Sequence, residues 1–303
     1  MLVAPHPHNE PARLAALLAL EVLDTGPEAE FDALVRAASL VCGTPISLIS
    51  LIDTERQWFK ANVGLPGVSE TPRDVAFCSH AILGDGLFEV ADASLDPRFA
   101  DNPLVTGQPD IRFYAGAPLR LSDGSQVGTL CVIDRQPREL SETQREVLRS
   151  LALAAAHALE GQRAIRAERR AAVDLVASEA RFRALSDGSP LGVFATDARG
   201  ACTYTNERWQ EIYGLTFAQS LGAGWTTALH PDDRAKVVSD LRQSASERRE
   251  FSMEYRVLHA QTQLRHVHAR ARAVLGPDQD EVAYVGSVED VTERRQLAAQ
   301  LAE

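Results

Sequence analysis

Apolar residues recur at helical spacing in residues 30–42, where Phe31, Leu34, Val35, Ala38 and Val41 share a face and Gly43-Thr44-Pro45 ends the run. The period then shortens. Ile46-Ser47-Leu48-Ile49-Ser50-Leu51-Ile52 is a short, mostly apolar run, and Gln57 to Gly64 follows a polar turn, which predicts a hairpin. A polar loop with Pro66 and Pro72 leads through 75–82 to a strand at 88–92. Beyond Asp96 to Pro103 come two more strands, Phe113 to Leu121 and Gln126 to Ile133. They are joined by Ser122-Asp123-Gly124-Ser125, and an Asp-Gly turn between alternating runs predicts a second hairpin.

Ser141-Glu142-Thr143-Gln144 has capping-box spacing, and Val147, Leu148, Leu151, Ala155, Ala158 and Leu159 follow on one face. From there to Leu185 no proline occurs and Gly161 is the sole glycine, so we expect a connector helix of roughly 65 Å, with a break near Gly161. Leu148, Leu151, Ala155, Ala158, Ile165, Ala172 and Val176 approximate a heptad seam, read here as a weak dimer coil rather than a solvated tether.

A second unit opens with Gly192 to Asp197, a turn at Ala198-Arg199-Gly200, and Ala201 to Asn206. Short helices fit Glu207 to Tyr213 and the segment from His230 through Leu241. Three long strands close the unit: Glu250 to Ala260, Leu264 to Leu275 and Val282 to Val288. Both units therefore predict an α+β fold with a central antiparallel sheet. The last strand runs into a charged helix that Asp290 or Thr292 caps and in which Glu293 favours the positive dipole end. Its apolar stripe is Leu297, Leu301 and some alanines. A helix this short is marginal alone, so it is expected to pair with its own copy or to continue an output element.

Composition changes this picture little. With 303 residues, 45% hydrophobic and 24% charged, the chain has room for two globular domains. A formal charge of −11 argues against nonspecific binding to nucleic acid. No signal peptide and no membrane span is evident, and the four cysteines, Cys42, Cys78, Cys131 and Cys202, lie far apart. The expected location is a reducing cytoplasm.

Residues 182–295 resemble a PAS domain with its PAC motif. The resemblance is carried by Gly192 to Asp197, Tyr204-Thr205-Asn206-Glu207-Arg208-Trp209, Tyr213-Gly214, His230-Pro231-Asp232-Asp233-Arg234, Tyr255-Arg256 and Asp290 to Arg295. Residues 30–160 resemble a GAF domain, through Phe77-Cys78-Ser79-His80, Val90 to Ala93, Asp96-Pro97-Arg98-Phe99, Phe113 to Leu119 and Gly128 to Asp134. That leaves 1–29 as an N-terminal segment, 161–181 as a helical connector and 296–303 as the start of an output helix. The resemblance implies a homodimeric bacterial sensory module. Its output would be a histidine kinase, a response regulator or a cyclic-di-GMP enzyme, and it would take an unknown small ligand and an unknown cofactor.

The catalytic candidates are fewer. None of the eight histidines has the acidic-proline context of a phosphoacceptor, and no phosphate loop or Gly-Gly-Asp/Glu-Glu-Phe run occurs. We therefore expect no catalytic residues and no metal site. The alternatives are that the chain is the sensor part of a histidine kinase or a GAF redox enzyme using Cys78. Cys78 and His80 are the candidate ligand contacts of the GAF half, and Cys78 is the thiol to test, because a neighbouring imidazolium would lower its pKa; three functional readings stand, bilin attachment, redox sensing and methionine-sulfoxide reduction. Bilin-binding relatives place the histidine directly after the cysteine, whereas Ser79 intervenes here. The sulfoxide-reducing relatives use further cysteines, and 96–113 has none. The bland reading is a small buried hydrophobe. In the PAS half the candidate ligand contacts are Trp225 and His230, although His230 equally suits a helix start. Asp290, Thr292 and Glu293 are the candidate relay residues. His266, His268, Arg270 and Arg272 share one strand face, more often solvated than ligating.

Overall fold

The structure is a computed structural model that describes residues 1–197, 199–259, 263–275 and 282–302. Ala198 of the expected turn, Ala260 of the expected strand and Glu303 of the expected output helix lie outside the described residues. The chain divides into two compact units, Met1–Ala171 and Ala172–Glu303.

The first unit runs α1 (Glu10–Ala19), α2 (Ala29–Cys42), β1 (Ile46–Ile52), β2 (Arg56–Val63), β3 (Glu70–Pro72), α3 (Phe77–Ala81), β4 (Phe88–Val90), α4 (Pro103–Thr106), β5 (Phe113–Arg120) and β6 (Gln126–Asp134). The six strands form an antiparallel sheet in the order β3-β2-β1-β6-β5-β4, and both expected hairpins are in it. Every residue of β1 is buried. A strand dry on both faces needs the near-continuous apolar run that its sequence shows. Side chains alternate across the sheet, so Ile49, Leu51, Leu130 and Val132 pack in one core with Leu17, Phe31, Val35 and Leu148. Ile46, Leu48, Cys131 and Ile133 pack in the other, with Phe77, Cys78, Phe99 and Tyr114. α2 ends at Gly43, whose φ of 64° is left-handed and favours glycine.

α1 and β3 escape the periodicity. α1 belongs to the first core through Leu17, with Leu20 and Val22 just beyond it. Arg13 is buried and donates to Glu10 and to the carbonyl of Ile52. Lys60, with a fully buried side chain, donates to Glu28 at 2.5 Å and to Thr25.

α5 (Glu142–Asp187) contributes to both units. The expected break near Gly161 is absent, and the helix runs through it. A lone exposed glycine costs about 1 kcal/mol against alanine, too little to open a helix whose preceding turns bury Leu148, Ala152, Ala155 and Leu159.

The second unit adds β7 (Gly192–Thr196), β8 (Cys202–Thr205), α6 (Glu207–Tyr213), α7 (Phe217–Ser220), α8 (Pro231–Ser246), β9 (Phe251–His259), β10 (Gln263–Leu275), β11 (Val282–Asp290) and α9 (Thr292–Ala302). Its antiparallel sheet has the order β8-β7-β11-β10-β9. The alternation expected in β10 holds: Val267, Ala269 and Ala271 are buried, whereas Arg270 and Arg272 are exposed. No helix among the described residues is long and apolar enough to cross a membrane.

Glu10 accepts from Arg13 at 2.7 Å and from Arg73 at 2.5 Å, tying α1 to the sheet end. Burial works to raise its pKa, and the two guanidiniums more than offset it, holding the carboxyl down from 4.5 to about 2. A depressed carboxylate stabilises the folded state above its unfolded pKa and loses that contribution as pH falls through the folded one. Thermal melts of the natural chain and Glu10→Gln should therefore differ most above about pH 5 and converge towards pH 2; a gap independent of pH would show that Glu10 is not the bolt.

Candidate functional site

The second face of the first sheet is not filled. Between it and the 64–111 segment lies a cavity of about 340 Å³, walled by apolar residues such as Leu48, Phe59, Phe77, Leu104 and Ile111. Gln57, Thr71, Gln108 and Arg135 add polar atoms. Pockets of roughly 300–1,000 Å³ with few polar groups are the usual shape of small-ligand sites. Gln57 is 5% exposed, its amide nitrogen reaches Thr71 at 3.4 Å, and its Oε1 has no protein partner. A buried acceptor left unpaired costs about 1–3 kcal/mol.

Cys78 lines that cavity from α3. Its sulfur receives the Ser50 hydroxyl at 3.0 Å and the Tyr114 hydroxyl at 3.2 Å, and lies 3.9 Å from the Cys131 sulfur. Thr129 sits behind Ser50, hydroxyl to hydroxyl at 3.3 Å. β1, β5 and β6 bring these groups together because Ser50 pairs with Thr129, Leu48 with Cys131 and Gly116 with Cys131 in register. Gly116 is essential to the cluster, since a Cβ there would stand 2.2 Å from the Tyr114 hydroxyl. Burial pushes the Cys78 thiol up, but donors from Cys131, Ser50, Thr129 and Tyr114 outweigh it and bring the pKa down to about 7. His80 plays no part in this. Its ring lies against Phe99, 4.9 Å between centroids, its Nε2 meets the Leu2 carbonyl at 3.1 Å, and burial pushes its pKa down.

Unit two has a corresponding pocket lined by Phe194, Cys202, Trp209, Tyr213, Trp225, Leu241 and Tyr255, but its free volume is only about 20 Å³. That is room for about one water. Trp209 and Tyr213 stack at 3.8 Å, and the Tyr213 and Tyr255 hydroxyls meet at 2.5 Å in the middle. Trp225 is therefore a wall of a filled core. His230 caps α8, its Nδ1 accepting from the Asp232 amide at 3.3 Å, and stands outside the pocket lining. Next to it, Asp233 clasps Arg256 through both oxygens, and those bonds hold its carboxyl down to about 2.

At the end of β11, Asp290 accepts from the Thr292 amide at 3.0 Å and from its hydroxyl at 2.5 Å. The Thr292 hydroxyl oxygen in turn accepts from the His266 amide at 2.9 Å, and the Val291 amide donates to the His266 carbonyl. Arg294 and Arg295 both reach Glu254 on β9. α9 thus leaves the sheet on a knot of bonds to β10 and β9. Glu293, the third expected relay residue, lies in its first turn.

Two sensory folds are defined by this architecture. Residues 26–159 match the model of the GAF domain and residues 203–288 that of the PAS fold, so the chain carries a GAF domain followed by a PAS domain. It is 52% identical over 138 residues to a cyclic di-GMP phosphodiesterase of Pseudomonas aeruginosa, a match that takes in 46% of this chain and 23% of that protein. It is also 34% identical over 64 residues to a peroxide stress-activated histidine kinase of Schizosaccharomyces pombe, covering 21% of this chain and 4% of the kinase. The chain thus spans at most about a quarter of these relatives. Among solved structures it is similar to the N-terminal domain of a diguanylate cyclase with PAS/PAC sensor from Marinobacter aquaeolei, at 17% identity, TM-score 0.33, covering 35% of this chain and 98% of that one.

Ser50, Gln57, Tyr114, Thr129 and Cys131 were not among the expected site residues. Ser50 and Cys131 stand out as the polar and sulfur positions of apolar runs, but only strand register puts them together.

Because the second pocket is full, Trp225→Ala should cost about 3–5 kcal/mol in unfolding free energy and create a site for an apolar probe. Tyr213→Phe should cost about 1–3 kcal/mol by stranding the Tyr255 hydroxyl. Urea unfolding monitored on both variants checks this, and a loss under about 0.5 kcal/mol in each would mean the pocket is not packed as described.

Proposed function

We propose that the chain is the sensory part of a signalling system, in which the GAF cavity takes the ligand and the PAS unit transmits. The observation that carries this reading is the contrast between the two interiors: about 340 Å³ with a buried unpaired acceptor against about 20 Å³ closed by paired tyrosines. The ligand class fitting those walls is a small molecule with an apolar body and an acceptor or anionic end at the Arg135 rim.

Names of the relatives support an output of the phosphohistidine or cyclic di-GMP kind, either on the same polypeptide or on a partner. α5 and α9 are the elements that would carry the response, in a cytoplasmic homodimer paired through the exposed part of the expected seam, Ile165, Ala172 and Val176, because Leu148 and Ala155 of that seam are buried in the first unit's own core. A ligand shifts such a device only by its different affinities for two arrangements, typically 1–3 kcal/mol of coupling.

Titration with 1-anilinonaphthalene-8-sulfonate, an apolar body with an anionic end, tests the site. The natural chain should bind the dye with enhanced fluorescence, and Phe59→Arg, which puts a charge into the cavity wall, should abolish it. For the relay, ligand should slow amide exchange in α9, and a Gly-Pro insertion at Ile165 should remove that protection. Protection that survives the insertion would refute transmission through α5.

A further inference from the structure

We propose that Cys78, which lines the GAF cavity, and Cys131, buried 3.9 Å behind it, form a dithiol pair that is oxidised by small organic hydroperoxides, with Cys78 the attacking sulfur and Cys131 the resolving one. The pair goes beyond ligand sensing, yet it rests on that reading in one respect, because the oxidant reaches Cys78 through the same cavity.

Geometry carries the assignment. The two sulfurs are 3.9 Å apart, near van der Waals contact, although 53 residues separate them in the chain. A disulfide requires sulfurs about 2.05 Å apart, so bond formation needs a movement of roughly 2 Å, within the reach of side-chain rotation. Three hydroxyls face the same spot: Ser50 and Tyr114 at the Cys78 sulfur, and Thr129 behind Ser50. A buried hydrophobic cysteine needs no such donors, whereas a thiolate does. The apolar walls suit the carbon end of a hydroperoxide, and the Tyr114 side chain, which also lines the cavity, suits its oxygens.

The wider comparison inside the molecule points the same way. Cys42 and Cys202 are buried too, but burial leaves each thiol pushed up, and neither has a second cysteine beside it. Of the pair, Cys78 is the sulfur that lines the cavity and that receives the Ser50 and Tyr114 hydroxyls, whereas Cys131 is not among the lining residues. That placement sets the order of the steps.

In the first step the Cys78 thiolate attacks the terminal oxygen of ROOH. An S–O bond forms, the O–O bond breaks, two electrons pass from sulfur to the peroxide, and the leaving RO⁻ takes up the proton that Cys78 gave up, becoming ROH. Cys131 then attacks the sulfur of the sulfenic acid. An S–S bond forms, the S–O bond breaks, and hydroxide leaves with the Cys131 proton as water. Two thiols and one hydroperoxide become one disulfide, one alcohol and one water.

The test treats the reduced full chain with tert-butyl hydroperoxide and counts thiols after denaturation, with the anilinonaphthalene titration run on the same preparation. Two of the four thiols should disappear with the loss of two hydrogens in intact mass, and a Cys78–Cys131 peptide should be recovered. Cys131→Ser should stop at a sulfenic acid that dimedone traps on Cys78, and Cys78→Ser should react no faster than Cys42 and Cys202. Tyr114→Phe should move the pH profile of the reaction upward, which lost packing alone does not do. If the dye binds and all four thiols survive, the redox pair is overturned and the ligand cavity stands. If the thiols pair and the dye does not bind, the pair stands and the ligand reading falls. Oxidation that falls on Cys42 or Cys202 as readily as on Cys78 also overturns the proposal.

Discussion

A sheet whose central strands are dry on both sides has to fill two interiors, and everything of functional interest in this chain follows from the two being filled differently. β1 and β6 send alternate side chains to opposite layers. The layer beneath α1, α2 and α5 is closed by aliphatic and aromatic residues such as Leu17, Phe31 and Leu148. The opposite layer contains Ser50, Thr129 and Cys131 among its strand residues and is roofed by the irregular 64–111 segment, so it keeps a cavity that Cys78 and Tyr114 line in front of them. Irregular chain can surround a space that regular helices, packing ridge into groove, would close.

The PAS unit solves the same problem the other way. Its concave face is plugged by Trp209, Tyr213, Trp225 and Tyr255, and the polar ends of the two tyrosines satisfy each other. At the strand end, Asp290, Thr292 and the backbone of His266 fix the direction in which α9 departs. Glu254 adds a two-arginine clasp on the exposed side. Exposed ion pairs are individually worth little, so the buried-backbone bonds of Thr292 and Val291 carry more of the anchoring than the clasp does.

Much of this was legible in residue order. The period change after Gly43, the Asp-Gly turn at Asp123 and the two-strand, helices, three-strand order of the second unit all reappear as elements. α1 was hidden because Arg13, a buried charge, interrupts its apolar face, and its partners Glu10 and Ile52 are supplied by folding. Gly161 misled because propensity is weaker than the tertiary packing of the turns before it. Of the site, Cys78 was visible as a lone thiol in a GAF motif, but its neighbours were not. Ser50, Tyr114 and Cys131 come from three strands, and only register places their side chains at one sulfur. His80, adjacent in sequence, is turned to Phe99 and Leu2 instead.

On the proposed division of roles, ligand enters the GAF interior and not the PAS interior. Methyl-resolved NMR of the full chain, labelled at isoleucine, leucine and valine and titrated with an apolar anionic ligand, tests it most directly. Early shifts are expected at Leu48, Leu104, Ile111 and Ile133, with Val237 and Leu241 unmoved. First shifts at Val237 and Leu241, with the GAF methyls silent, would contradict it.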